Sequence, residues 1–199
     1  MSEEVSQTEL LESHAESVSA DIRVALPARI IKYNGDGTAQ VEVMINQISQ
    51  DDKPVSIPIL SDVPVQMWAY GAFSITAEPQ AGDEGLVHFA DRCIDGWWHS
   101  GNKSVPLDIR MHDLSDAFFS LGYRSQPKAL KIVSNTMHIG SDSSYVRLNN
   151  DGTIEIKGKT TFLDEVTAPN FTTKNGIKLD GHKHGGVQGG NDDTGGSKP

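Results

Sequence analysis

The sequence predicts an all-β protein in two parts. The first is a small N-terminal OB-fold barrel (the oligonucleotide/oligosaccharide-binding type). The second is a thin β-prism, or irregular triple-stranded β-helix, that could build a core if three copies wrapped around an axis, followed by a glycine-rich end. Three observations predict this. Between residues 21 and 122, short alternating apolar runs are separated by glycine-rich turns, as in a small closed barrel. Between 123 and 178 the apolar side of each strand is so narrow that a single sheet cannot build its own core. From 179 to 199 the chain is rich in glycine and carries two histidines two positions apart.

Composition narrows the options. Of 199 residues, 37% are hydrophobic, below the usual globular range, so the core is lean and association of chains is a natural way to bury more surface. The net charge of −10 argues against a nucleic-acid footprint and against docking on anionic lipid. The single cysteine, Cys93, excludes an internal disulfide framework and reads as a small buried residue. No run of 18 apolar residues occurs, and Met1 to Glu16 is polar and acidic, unlike a secretory leader. Synthesis in the cytoplasm as a soluble chain is expected.

Residues 1–20 form a separate arm or short helix. Ser6-Gln7-Thr8-Glu9 reads as a capping box, followed by Leu11, Ala15 and Val18 at helical spacing. The barrel domain is expected over 21–122. Ala25–Ile31 reads as a strand leading into the hairpin turn Asn34-Gly35-Asp36-Gly37. Val41, Val43 and Ile45 alternate with polar or flexible residues, and Val55, Ile57 and Ile59 alternate beside Pro54 and Pro58, which mark an edge or irregular strand. Phe73 and Ile75 continue the pattern; Gly82-Asp83-Glu84-Gly85 turns the chain into Leu86, Val87 and Phe89. The glycine-acid turns lack the ligand count of a calcium loop and read as plain turns. Asp113–Phe119 is expected as a short helix. Trp97-Trp98 suits either stacking in a groove or packing, the commoner fate.

The β-helix is expected over 123–178. Val146 and Leu148 alternate with Arg147 and Asn149, Asn150-Asp151-Gly152 turns the chain, and Ile154 and Ile156 alternate with Glu155 and Lys157. Phe162, Val166, Ala168 and Phe171 follow at wider intervals. No strict repeat is present, so a prism or irregular triple-stranded helix is expected rather than a solenoid. Three copies around an axis would each supply one wall of a shared core.

Residues 179–199 form a glycine-rich end with an embedded histidine pair. In an extended strand His182 and His184 point to the same side. Two imidazoles are too few to hold a transition metal tightly. Three chains would offer six nitrogens, a set that suits an octahedral ion better than tetrahedral zinc. Without trimerisation the pair is a solvated polar tail. His14, His88, His99, His112 and His138 are scattered and read as ordinary surface or packed histidines.

Two stretches carry a resemblance. Glu78-Pro79-Gln80-Ala81-Gly82-Asp83-Glu84-Gly85-Leu86-Val87-His88-Phe89-Ala90-Asp91-Arg92, with Ile94-Asp95-Gly96-Trp97-Trp98, resembles the barrel of the central baseplate spike of contractile-tailed phages. Thr167-Ala168-Pro169-Asn170-Phe171, Asn175-Gly176-Ile177, His182-Lys183-His184-Gly185-Gly186-Val187-Gln188 and Thr194-Gly195-Gly196 resemble the apex of the same spikes, including those of Mu-like phages. Together they span roughly residues 21–196. The resemblance implies a homotrimer: barrel, triple-stranded β-helix, pointed tip. It implies one octahedral iron per trimer, held by His182 and His184 of each chain, with Lys183 pointing away from the axis. It also implies a place in the virion, at the tail tip on the baseplate. There the spike would sit on a hub or tail-tube protein and be driven mechanically through the host outer membrane, with no nucleic acid bound and no enzymatic step.

Two rival functions are weighed. A metal-dependent enzyme using the His-x-His pair would need a third ligand, an open coordination position and a general base, and Asp180 is the only candidate nearby. An OB-fold module binding single-stranded nucleic acid is opposed by the acidic charge. No Ser-His-Asp set, phosphate loop or pocket-forming carboxylate pair is evident.

Overall fold

A computed structural model describes residues 6–49 and 51–180 and divides into two units, with the boundary between Lys131 and Ile132. His182 and His184 lie outside the described residues. Among those described, no helix is long and apolar enough to cross a membrane.

The chain is mostly antiparallel β-structure with few helices, as expected. Helix α1 (Gln7–Asp21) opens with a bond from the Leu10 N–H to the Ser6 carbonyl at 3.1 Å. Leu10, Leu11 and Val18 on it are exposed. Strands then follow in the first unit: β1 (Ala25–Tyr33), β2 (Thr38–Val43), β3 (Gln47–Ile48), β4 (Pro54–Val55), β5 (Leu60–Pro64), β6 (Trp68–Tyr70), β7 (Phe73–Ile75), β8 (Glu84–Phe89) and β9 (Ala117–Leu121). Helix α2 (Asp95–Ser100) lies between β8 and β9 and ends on Gly101, whose φ of 66° is the left-handed conformation favoured there.

Five strands form one sheet in the order β5-β2-β1-β8-β9. A parallel bridge between Val65 and Phe119 brings its two edges together. Alternate residues face inward: Ala28 and Ile30 from β1, Val41 and Val43 from β2, Val87 and Phe89 from β8, Ala117 and Phe119 from β9. The β1–β2 turn is held by Asp36, whose carboxylate accepts the Thr38 N–H (3.0 Å) and hydroxyl (2.6 Å). These bonds hold the Asp36 carboxyl below its ordinary range. At the second glycine-acid turn, Asp83 accepts the Gln80 N–H at 2.8 Å. Gly85 begins the inward face of β8, where a side chain would run into the Ser120 carbonyl and the Phe119 ring.

Three expectations need correction. Asp113–Phe119 is not a helix. Asp113 ties a tight turn by accepting the Ser115 N–H (2.9 Å) and hydroxyl (2.6 Å), and Ala117 and Phe119 then alternate into the core as β9. Ile45 lies beyond β2 and is exposed. The Val55–Ile59 alternation is not one strand. Pro54 and Pro58 cannot donate to a ladder, so only Pro54–Val55 pairs there, and the barrel strand starts at Leu60.

The second unit contains an antiparallel meander of β10 (Thr136–Gly140), β11 (Tyr145–Asn149) and β12 (Ile154–Lys157). The β11–β12 turn falls at Asn150-Asp151-Gly152, as expected: Asp151 accepts the Thr153 N–H (2.9 Å) and hydroxyl (2.7 Å), and Gly152 takes φ 84°. The β10 strand carries no signal beyond Met137 and Ile139 flanking His138.

Candidate functional site: an inverted sheet and the approach to the histidine pair

The register of the meander puts its large apolar side chains on one face. Met137 faces Leu148, and Ile139 faces Val146; across β11, Val146 faces Ile156 and Leu148 faces Ile154. All six are exposed. The opposite face is polar: Thr136, Tyr145, Arg147 and Asn149 are partly buried on it, and His138, Glu155 and Lys157 are exposed. Arg147 is its centre: its Nε donates to His138 Nδ1 at 3.1 Å, its guanidinium lies 4.0 Å from the centre of the Tyr145 ring, and Glu155 is 3.7 Å away. Lys157 also lies over Tyr145, at 5.5 Å. The single chain thus satisfies its polar face internally and leaves its apolar face bare, the reverse of a half-buried antiparallel sheet.

The chain approaches the histidine pair through a tight hairpin. Thr172 and Lys178 form a bridge, the Thr173 N–H donates to the Ile177 carbonyl at 2.8 Å, and the Leu179 N–H donates to the Phe171 carbonyl at 2.8 Å. Gly176 supplies the positive φ of the turn, 78°. The Asp180 N–H donates to Asn170 Oδ1 at 3.3 Å, so the backbone is tied down two residues before His182. Phe171, Ile177 and Leu179 are exposed here. Among the described residues, Asp180 belongs to no group of three potential metal ligands.

Among the described residues, one cluster has three metal-type side chains: Cys93, Asp95 and Asp116, in the barrel unit. Arg110 already neutralises it. Its Nε donates to Asp116 Oδ2 at 2.5 Å, and its second nitrogen donates to Asp95 Oδ2 at 2.7 Å and Asp116 Oδ1 at 3.0 Å. The Ile94 N–H also donates to Asp116 Oδ1, at 2.8 Å. Arg110, with the Cys93 thiol, holds the Asp95 carboxyl below its ordinary range; the two carboxylates raise Arg110. This is an ionic lock inside the fold, and nothing in the sequence order marked it. Cys93 is buried, as read from the sequence. Trp97 packs edge-on against Phe118 at 5.9 Å, with Trp98 6.1 Å from it, so the tryptophan pair leans on the barrel wall. His112 bonds the Arg23 carbonyl at 2.9 Å and is a packed histidine.

Comparison with known proteins adds two matches. The family model for the phage protein Gp138 N-terminal domain matches residues 26–122, and that for the GpV apex motif matches residues 176–198, which include His182 and His184. No curated protein matches the chain significantly.

Proposed function

We propose that the chain, which matches the Gp138 N-terminal domain model and the GpV apex motif model of phage baseplate spike proteins, acts as a homotrimer that pierces the host outer membrane mechanically when the tail contracts. The observation that carries this reading is the bare apolar face of β10–β12. Burying large aliphatic side chains contributes about 1.5–3 kcal/mol each, and a lone chain forgoes most of that here. Three chains turning this face toward a common axis would share one core, with the Arg147 network on the outside. The strand order and parallel closure of the barrel support an OB-type assignment.

The donor chemistry of the apex fits a metal. His182 and His184 supply two neutral imidazoles per chain, so three chains supply six, a set that suits an octahedral iron. Bound there, the ion would join the three chain ends and convert its binding free energy into folding free energy. Glycines around the pair allow close approach of the backbones. The protein's partners in this reading are two sister copies, a baseplate hub or tail-tube protein, and the host membrane, with residues 1–20 docking on the hub. The location is the virion tail tip. No bond is broken by the protein, and its acidic charge disfavours nucleic acid.

The test is metal content per chain by plasma mass spectrometry, on untagged protein whose mass is measured by light scattering. One iron per three chains, in a particle three times the 21.6 kDa chain, about 65 kDa, is the expected result. A monomer, or a trimer without metal, would defeat the metal-capped spike.

A further inference from the structure

The barrel displays two apolar patches that its own core does not use. The first is the β6–β7 hairpin. Its pairs Trp68–Ile75 and Tyr70–Phe73 put four large side chains on one face, with Ala69–Ser74 on the other. Trp68 is 61% exposed and Phe73 81%. The second is the loop after α2, where Val105, Leu107, Ile109 and Met111 are all exposed, Ile109 at 96%. Between the last two, Arg110 turns inward to the Asp95–Asp116 lock. The loop therefore withdraws its cation and presents its apolar residues outward, with Asp108 exposed beside Arg110 as the one charge among them.

A closed three-fold ring is built from heterologous contacts, in which each chain offers two different patches of matching chemistry. This barrel offers two. We propose that the Trp68–Ile75 hairpin of one barrel packs on the Val105–Met111 loop of the next copy of this chain. The proposal rests on the homotrimer reading above. The eight side chains together present on the order of 1,000 Å², about the least that a specific interface buries. A contact of that size holds free barrels together poorly. It closes readily once the chains are joined elsewhere, because joining raises the effective concentration of one patch near the other. The ionic lock presents the loop in a fixed shape, so little ordering entropy is lost on contact.

The experiment uses the full chain with Phe73→Cys and Ile109→Cys together, treated with a short bismaleimide. The unsubstituted chain, whose Cys93 is buried, is treated in parallel. Both new positions are exposed, so the fold is unaffected. Most of the double variant should shift to covalent dimer and trimer bands on a denaturing gel, while neither single variant links. Light scattering on the same sample separates the failures. A trimer that does not link overturns this interface and leaves the homotrimer standing, with the patches facing the hub instead. Linking by Phe73→Cys alone would mean hairpin meets hairpin, which also overturns it. A monomer overturns both readings.

Discussion

Asp116 is 1% exposed and accepts hydrogen bonds from Arg110 and from the Ile94 N–H. Removing one member of a buried ion pair leaves the other charge without its partner, so Asp116→Ala should destabilise the barrel by about 3 kcal/mol, read from urea unfolding. Glu84 is the residue to watch for pH. It accepts the Ser125 N–H at 2.7 Å and pairs with Lys128 at 3.0 Å, which lowers its carboxyl to about 2. A folded-state pKa below the unfolded value, 4.5, means stability is fully present above that value and lost as pH falls from about 4.5 toward 2. Thermal melts across this range should show the loss, and Glu84→Gln should lessen it, the remainder coming from carboxylates such as Asp36 and Asp95 that are also held below their ordinary range. A variant with an unchanged acid slope would contradict the assignment. The histidine pair belongs to this scale too: if the proposed spike is correct, His182→Ala with His184→Ala should abolish bound metal in the mass-spectrometric assay yet leave a trimer, because in that reading the β10–β12 faces would supply contacts of their own.

At the scale of elements, alternation was a good guide where both strand faces differ and a poor one where prolines or turns intervene. The β11 and β12 strands were legible from Val146, Leu148, Ile154 and Ile156 because period-two patterning reports which face is apolar. Asp113–Phe119 misled because a turn followed by a short buried strand carries apolar residues at spacings a helix would also allow. Helix α2 was missed since Asp95-Gly96-Trp97-Trp98-His99-Ser100 has no helical stripe and is held by its packing on Phe118. The bare face of the meander makes a direct prediction. Ile156→Asp introduces a charge opposite Val146 that water solvates in a lone chain and that a shared core would strand. It should shift the protein from trimer toward monomer by at least tenfold in the concentration needed for assembly, measured by sedimentation, with the barrel still folded.

At the scale of the molecule, the two units differ in self-sufficiency. The barrel has a closed core around Phe119, Ile30, Val41 and Val87, whereas the described part of the second unit has no buried hydrophobic residue. A chain ending at Lys131 should therefore fold and remain monomeric at micromolar concentration by light scattering; a tight trimer from it would move the site of assembly into the barrel. By itself the sequence determined the all-β class, most strand positions and the turns, because side-chain period and turn chemistry are local properties. Only the tertiary structure decided the sheet order, the Arg110 lock that joins Asp95 to Asp116, and which faces are left uncovered. Those depend on residues far apart in the chain meeting across strands, and no local pattern encodes such meetings.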